Sequence, residues 1–200
     1  MASPGTFAAR APQDVVRLVG SHPLAWVVSD GPHATLLPLR AVVAPDGSIT
    51  QLRGHFARAN PQVAALRAKS DALLLFLGPH GYISPSWMND RTQAPTWNYA
   101  SAQFRVELSF FEEAEALEEL LRDLIGAMEH GRPNPWRQEE MGARFSSLAR
   151  GIIGFDAKIL SSTAKFKLGQ DERRDVFADI TSALARDPAA AELLQWMLDF

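Results

Sequence analysis

The chain has 200 residues, a formal net charge of −3 and no cysteine. The absence of cysteine excludes disulfides, thiolate metal sites and thiol catalysis, and it agrees with a reducing compartment. The negative charge argues against a protein that coats nucleic acid non-specifically, because such binding depends on Lys and Arg neutralising phosphates. No segment approaches the roughly 20 apolar residues that span a bilayer, and no signal-peptide pattern is present. We therefore expect a single cytoplasmic domain over residues 1–200, with a helical extension over about 170–200.

The first half of the chain has the pattern of a helix followed by paired strands. Pro12 begins an amphipathic helical pattern, and Leu24–Ser29 is a strand candidate. Thr35–Ala44 is apolar at nearly every position, which predicts a second strand buried on both faces. Pro45-Asp46-Gly47 is a strong turn signal before a strand over Ile49–Gly54, so these last two strands are expected to form an antiparallel hairpin.

The second half alternates further strands with helices. Ala72–Leu77 has the composition of a central strand, and a longer strand is expected over about Thr96–Leu108. Ser109–Glu112 has the spacing of a capping box at the start of the most regular amphipathic helix. Ile152–Leu160 reads as the last strand. The pattern therefore predicts about six strands with flanking helices, an α+β fold with a mainly β core.

Basic residues gather where the strand that begins at Ile49 ends. In an extended chain Arg53 and His55 share one face, and Arg58 follows just before Asn60-Pro61, which has the pattern of a helix N-cap with proline at the first helical position. Guanidinium groups and the unpaired amides expected at a helix N-terminus both stabilise a phosphate dianion. The sequence therefore predicts a phosphate site here, and the alternative is a solvated loop with scattered bases.

The stretch from His80 to Tyr99 lies between two apolar strand-like runs, so we expect a long structured connection across the edge of a sheet. It combines aromatic residues, prolines and hydroxyls, as long loops that carry function often do. Tyr82, Trp87 and Trp97 are candidates for the wall of a flat heteroaromatic ligand. The alternative is that these rings close one end of the barrel or form a subunit interface. Strand parity places two polar side chains on the apolar face, where they need partners. The hydrogen-bonding candidates at the ligand edge are Ser84, Ser86, Thr96 and Asn98.

Two lysines alternate with apolar residues near the C-terminal third. Lys165 and Lys167 are expected on one side of an extended segment, and Phe166 and Leu168 on the other, with a solvated face as the alternative role for the lysines. The five histidines have no paired-ligand spacing, so we predict no metal site. No nucleophile elbow, GxGxxG or Walker loop occurs, and the sequence identifies no catalytic residue.

Four ordered motifs together resemble the PaiB-like FMN-binding negative transcriptional regulators. They are RGHFARANP at 53–61, GPHGYISPSW at 78–87, PTWNYA at 95–100 and KFKLGQ at 165–170. The resemblance extends from the HPLA at 22–25 through the KFKL segment. It implies a six-stranded antiparallel split β-barrel of the pyridoxamine-phosphate-oxidase type with flanking helices, usually a homodimer with FMN between the subunits.

The resemblance also implies roles for particular residues. The phosphate is expected on the basic cluster, the strand that includes Thr35 and Pro38 should border the flavin, and Trp87 and Asn98 should approach it from the aromatic loop or from the second subunit. The two lysines of KFKL should reach the cofactor or the dimer contact. The expected FMN-binding residues are Thr35, Pro38, Arg53, His55, Arg58, Trp87, Asn98, Lys165 and Lys167.

Three functions agree with these patterns. The first is an FMN-binding, dimeric protein with a role in negative transcriptional regulation. The second is a flavin-dependent oxidoreductase or reductase, since the same kind of barrel hosts such enzymes and FMN carries the redox chemistry. The third is direct binding to DNA as a repressor, although no helix-turn-helix pattern or basic helix is present in the sequence.

Overall fold

The computed structural model describes residues 5–200, which form one antiparallel sheet with helices around it. The strands are β1 Leu24–Ser29, β2 Ala34–Pro38, β3 Arg40–Val43, β4 Ile49–Ala57, β5 Asp71–Ile83, β6 Thr96–Phe111 and β7 Ile152–Lys167. The α-helices are α1 Pro12–Ser21, α2 Pro61–Ala68, α3 Ala114–Glu129, α4 Arg144–Ala149, α5 Arg174–Leu184 and α6 Ala191–Asp199. Short 3-10 helices occupy Pro85–Trp87, Gln138–Met141 and Pro188–Ala190. The predicted α+β class is confirmed.

The sheet curls on itself because its two edge strands are almost continuous in the chain. The strand order is β2-β1-β5-β6-β7-β4-β3. Only Leu39 separates β2 from β3, so the two edges must approach each other, which is the geometry of a barrel. Leu39 is buried, and its backbone N–H donates to the carbonyl of Pro23 at 2.8 Å. The curled sheet therefore has seven strands.

The predicted single strand over Thr35–Ala44 is wrong in two respects. The chain bends at Leu39 and contributes two edge strands, which accounts for the seventh strand. Burial on both faces is also absent, since Leu36, Val42 and Val43 are each more than 40% exposed in the single chain. The described chain leaves these three side chains partly open to solvent, so the apolar composition of the run does not by itself indicate burial on both faces.

The barrel interior follows the alternation expected of half-buried strands. Inward positions of β4, β5, β6 and β7 are fully or almost fully buried, and aromatic rings pack in pairs among them. The ring centroids of Phe56 and Phe155 are 5.2 Å apart, and those of Phe76 and Phe104 are 5.6 Å apart. Such rings contribute apolar burial and favourable edge contacts. Other buried members of this core are Val27, Leu52, Leu74, Ile153 and Phe166.

Helix α3 begins later than the capping-box pattern predicts. Ser109 lies within β6, opposite Asp156 of β7, and Glu113 occupies the N-cap position without a side-chain capping bond. The capping-box prediction is therefore wrong, because pairing with β7 extends the strand through Phe111. Helix α3 then packs beside β7 and buries Leu117, Leu120 and Leu124.

The connection between β5 and β6 is shorter than the stretch His80–Tyr99 indicates. Both strands extend into it, with His80 opposite Tyr99 and Tyr82 opposite Trp97, so the irregular part covers only residues 84–95. The two strands are neighbours in the middle of the sheet, which makes this connection a long hairpin loop. The predicted position across a sheet edge is therefore wrong.

Helices α5 and α6 occupy the region predicted as a helical extension. The rings of Phe166, Trp196 and Phe200 stack, and Arg17 of α1 forms an ion pair with Asp199 of α6 at 2.7 Å. These contacts join α6 to β7 and α1. No helix within residues 5–200 combines the length and the apolar character that crossing a membrane requires.

Candidate functional site

A cleft of about 570 Å³ opens beside the first turn of α2. Its distinguishing feature is a pair of arginines that converge on one carboxylate. Arg58 donates to one oxygen of Glu112 and Arg67 donates to the other. All three side chains are partly exposed, so the cluster is open to solvent. The remaining lining residues are Ala59, Asn60, Pro61, Val63, Ala64 and Ile153.

The start of β7 and the segment before it hold Arg58 in place. Strands β4 and β7 pair through Ala57 opposite Ile152, and the backbone N–H of Arg58 donates to the carbonyl of Gly151 at 2.8 Å. The guanidinium also donates to the carbonyls of Arg150 and Ile152, at 3.2 and 3.0 Å. These bonds position the charged group at the cleft without using all of its donors.

The first turn of α2 satisfies its own amide groups. The Asn60 side chain accepts from the N–H of Gln62 at 2.9 Å, and the Asn60 carbonyl accepts from the N–H of Val63. Pro61 has no N–H. The predicted N-cap and N1 proline are therefore confirmed, but the unpaired amides expected with them are not present. Anion binding in this cleft depends on the guanidinium groups.

Arg53 lies on a different surface from Arg58. It shares the outward face of β4 with His55, and its guanidinium donates to Asp156 on β7 at 2.8 Å. Glu119 of α3 lies 3.9 Å from the same guanidinium, whose central carbon is 5.5 Å from the Phe111 ring centroid. Arg53 is thus neutralised beneath α3, and the structure does not bring it to the cleft.

His55 sits beside Arg53 on that outward face. Its Nδ1 is buried and has no hydrogen-bond partner among the residues that the structure describes. Burial lowers the pKa of His55, because the charged imidazolium is less well solvated there than in the unfolded chain. A group of this kind is a poor partner for a phosphate at neutral pH, since it is uncharged.

The lowered pKa of His55 predicts a loss of stability in mild acid. The unfolded chain takes up a proton near the ordinary histidine pKa of about 6.5, whereas the folded protein takes it up only at lower pH. The free energy of unfolding should therefore fall as the pH drops below about 6.5. Urea unfolding at pH 7.5 and pH 5.5 should show a smaller decrease for His55→Gln than for the parent. His130→Gln, which removes an exposed histidine, is the control, and an equal decrease in the parent and His55→Gln would contradict the assignment.

Thr35 and Pro38 lie on opposite faces of β2. The Thr35 hydroxyl donates to Gln62 Oε1 at 2.6 Å and accepts from Asn60 Nδ2 at 3.0 Å, which ties β2 to the first turn of α2 beside the cleft. Gln62 is 1% exposed and also donates to the carbonyl of Val27. Pro38 is three positions along β2 and points to the opposite face, so of these two residues the structure brings only Thr35 near the cleft.

A second cluster lies at the start of β6, on the outward face of the sheet. The Trp97 ring centroid is 6.0 Å from that of Tyr82 and 6.5 Å from that of His80. Tyr82 and Trp97 are about half exposed. The name aromatic cluster is used below for His80, Tyr82 and Trp97. Exposed rings of this kind offer a stacking surface to a flat ligand or to another protein chain.

Two residues predicted to approach the flavin lie outside this cluster. Trp87 is in the short 3-10 helix of the β5–β6 loop and makes no ring contact within residues 5–200. Asn98 faces the opposite way from Trp97, is buried, and donates to the Met197 sulfur at 3.5 Å. The inward parity predicted for Asn98 is confirmed, and its partner is helix α6 of the same chain.

The two lysines of β7 border the aromatic cluster. Phe166 and Leu168 are buried, so the predicted alternation of this segment is confirmed. Lys167 donates to the Thr96 hydroxyl and to the Trp97 carbonyl. Lys165 places its ammonium group 5.7 Å from the ring centroid of Phe7 and 5.6 Å from that of Tyr99. The structure therefore brings Lys167 to the aromatic cluster and Lys165 to the adjacent Tyr99, and neither lysine lines the cleft.

The cleft at α2 fits the phosphate end of a mononucleotide. Two guanidinium groups already share a carboxylate there, which shows that their donors converge on a single anion. Guanidinium forks bind phosphate oxygens with the same charge-assisted geometry. Arg58 and Arg67 are the groups that would hold it, and the Asn60–Thr35 bond fixes the shape of the neighbouring turn.

Sequence reasoning missed Arg67 and Glu112. Arg67 reaches the cleft because it lies in the last turn of α2, and Glu112 because β6 continues to Phe111. The helical pattern of residues 61–68 provides one signal, since it places a basic residue near the α2 surface. No local pattern identifies Glu112, which the capping-box interpretation assigned to the start of a helix.

Comparison with solved structures defines the class of this fold. The chain is similar to a FAD and heme binding protein from Mycobacterium smegmatis, with 17% identity, a TM-score of 0.59, and coverage of 88% of this chain and 78% of the other. It is also similar to the flavocytochrome Anf3 from Azotobacter vinelandii, with 16% identity, a TM-score of 0.57, and coverage of 83% and 72%. The fold is therefore the split β-barrel of flavoproteins.

Sequence comparison then identifies the family. Residues 1–161 match the family model described as "Putative FMN-binding domain", and the chain belongs to that family. It is also 33% identical over 171 residues to the Protease synthase and sporulation protein PAI 2 of Bacillus subtilis (strain 168), which covers 84% of this chain and 81% of the relative. The resemblance drawn from the four motifs and the FMN cofactor predicted with it are both confirmed at the level of the family.

Proposed function

We propose that this protein is an FMN-binding homodimer with a role in negative transcriptional regulation. The observation that carries the proposal is the convergence of Arg58 and Arg67 at a cleft beside α2. These two guanidinium groups bind and orient the phosphate, while Asn60 and Thr35 fix the shape of the neighbouring turn. When bound, FMN supplies reversible electron acceptance. The protein residues supply affinity and orientation.

The separation of the two clusters supports a dimeric site. Glu112, which marks the phosphate end, directly follows β6, and Trp97 lies at the start of that strand. Strand β6 has 16 residues, about 50 Å along the strand at roughly 3.3 Å per residue. A mononucleotide is too short to contact both ends within one copy. A second copy that brings its aromatic cluster to the first copy's cleft completes the site.

An exposed apolar face supports the same arrangement. Trp26 is 48% exposed and lies opposite Leu36 on β2 and Leu75 on β5. Leu24 and Leu77 share this face, and both are more than half exposed. Contiguous apolar surface of this kind marks protein interaction sites. Because the aromatic cluster lies on the same side of the sheet, a second copy that covers the apolar face also reaches it.

A charged residue in the apolar face should prevent dimer formation. Trp26→Asp would place a carboxylate where the second copy buries the indole. Burying that carboxylate without a partner costs free energy, so the dimer is destabilised. We expect the parent to elute as a dimer and Trp26→Asp as a folded monomer in size-exclusion chromatography with light scattering. Leu148→Asp, on the exposed side of α4, is the control and should remain dimeric. A parent that is monomeric at micromolar concentrations would refute the dimer.

FMN binding itself is tested by one absorbance spectrum. Purified protein should carry flavin absorbance or gain it when FMN is added, with quenching of flavin fluorescence.

A regulatory role is tested by adding the protein to its own promoter DNA, with and without FMN, over a range of salt concentrations. A gel shift that persists near physiological salt would support direct repression. The absence of a shift would count against direct repression and would favour an indirect role that depends on the redox state of FMN.

A flavin-dependent oxidoreductase is the second candidate function. His80 favours it, because its Nδ1 bonds to the carbonyl of Gly78 at 2.9 Å while its ring stacks on Trp97. Its Nε2 has no hydrogen-bond partner within residues 5–200, so it is able to exchange a proton beside a stacked ligand. Anaerobic bleaching of bound FMN by NADH or NADPH, slowed in His80→Gln, would support this function. Unchanged flavin absorbance with both donors would count against it.

A further inference from the structure

Glu112 occupies the place in the cleft where an anion is held. Each of its two carboxylate oxygens accepts from a different arginine, Arg58 on one side and Arg67 on the other. The pair of arginines belongs to separate elements, the segment after β4 and the last turn of α2, and Glu112 is the group that links them. This is the contact geometry that a phosphate would adopt with the same two side chains.

We propose that Glu112 is a built-in competitor for the phosphate subsite and thereby lowers the affinity of the site for phosphorylated flavin without changing its affinity for riboflavin. The inference rests on the proposed phosphate site. A flavin without a phosphate has no group that displaces the carboxylate. A flavin with a phosphate must displace the Glu112 carboxylate from the arginines. The affinity for FMN therefore reflects how much more strongly the arginines bind the phosphate than the carboxylate.

The charges favour replacement by a phosphate dianion over binding beside the carboxylate. Two guanidinium groups carry two positive charges, and Glu112 neutralises one of them. A phosphate with nearly two negative charges at pH 7 neutralises both. If Glu112 stayed in place, its carboxylate would repel the phosphate at close range, because like charges within a few ångströms destabilise each other. The carboxylate therefore leaves the arginines when phosphate binds.

The local structure allows Glu112 to leave. Its side chain is 45% exposed, and it follows the last residue of β6 and precedes the N-cap of α3. Its backbone N–H donates to the Glu113 side chain, and within residues 5–200 the two arginines are the hydrogen-bond partners of the Glu112 carboxylate. Each exposed ion pair is weak, so Glu112 can rotate into solvent, and the cost of breaking both pairs lowers the net affinity for the phosphate.

Removing the charge of Glu112 should strengthen the binding of FMN and leave riboflavin unaffected. Glu112→Gln keeps the shape of the side chain but replaces charge-assisted bonds with weaker neutral ones. We expect the dissociation constant for FMN to fall by about tenfold and that for riboflavin to stay within about twofold. Flavin fluorescence quenching measures both. Glu115→Gln, an exposed glutamate in the first turn of α3 with no ion pair within the described chain, is the control.

The outcomes separate this inference from the proposed function. If the parent binds FMN more tightly than riboflavin but Glu112→Gln gains nothing, the competitor role is refuted and the phosphate site stands. Weaker FMN binding by Glu112→Gln would mean that the carboxylate organises the arginines, which also overturns the inference. If neither protein prefers FMN to riboflavin, both proposals fail. Glu112→Asp, which retains the charge, should bind FMN like the parent, and its circular dichroism and that of Glu112→Gln confirm folding.

Discussion

Replacing Arg58 with alanine is expected to weaken FMN binding by about 10- to 100-fold, with little change in riboflavin binding. Hydrogen bonds to charged groups contribute about 1.5–3 kcal/mol each, and a tenfold change in affinity corresponds to about 1.4 kcal/mol. The proposed site retains Arg67 in this variant, so some phosphate binding should persist. Fluorescence titrations of both flavins against the parent and Arg58→Ala measure the effect.

Arg53→Ala is the matched control, because it removes a second arginine from the same strand region. Arg53 bonds to Asp156 beneath α3 and does not line the cleft, so its loss should change FMN affinity by less than about threefold. The pair of variants distinguishes two locations for the phosphate. If Arg53→Ala loses FMN and Arg58→Ala does not, the phosphate binds on the outward face of β4 beside His55.

Phe56→Ala is expected to reduce the free energy of unfolding by about 3–5 kcal/mol. Phe56 is fully buried, and its ring lies 5.2 Å from that of Phe155 and 6.3 Å from that of Phe110. Truncation removes a large apolar side chain and leaves a cavity that the surrounding strands fill only partly. Urea unfolding followed by circular dichroism measures the loss, with FMN absent so that ligand binding does not contribute.

Phe56→Leu tests whether packing volume is the cause. Leucine fills more of the space than alanine, so this variant should lose about half as much stability or less. Because β4 leads directly to Arg58, Phe56→Ala should also weaken FMN binding at temperatures near its unfolding transition. Equal losses for the alanine and leucine variants would mean that the aromatic contacts, and not the filled volume, stabilise this layer.

Local patterns in the sequence determined much of the framework. Leu24–Ser29 has the predicted strand boundaries. Asn60 caps α2 as predicted, and its side chain accepts from the N–H of Gln62. Period-two alternation assigned the faces of Asn98, Phe166 and Leu168 correctly. These features depend on a few neighbouring residues, so their spacing is sufficient to predict them. The four motifs are likewise sufficient to identify the FMN-binding family.

Boundaries that depend on distant partners were not predictable in this way. Pairing with β7 carries β6 through Ser109 to Phe111 and overrides a regular capping-box pattern. Leu39 divides one apolar run into the two edges of the curled sheet. At Ser109 the local helical preference is weaker than strand pairing with Asp156, which lies more than forty positions away. At Leu39 burial of the side chain and a hydrogen bond to Pro23 divide the run.

The candidate site shows the same division. The sequence alone indicated a basic phosphate site after β4, an aromatic surface near Trp97 and the FMN cofactor. Only the tertiary structure decided that Arg53 is neutralised by Asp156, while Arg58 meets Arg67 and Glu112 in the cleft. The physical reason is that spacing along a strand determines which face a side chain occupies, whereas its charge partner is determined by the elements that pack against that face.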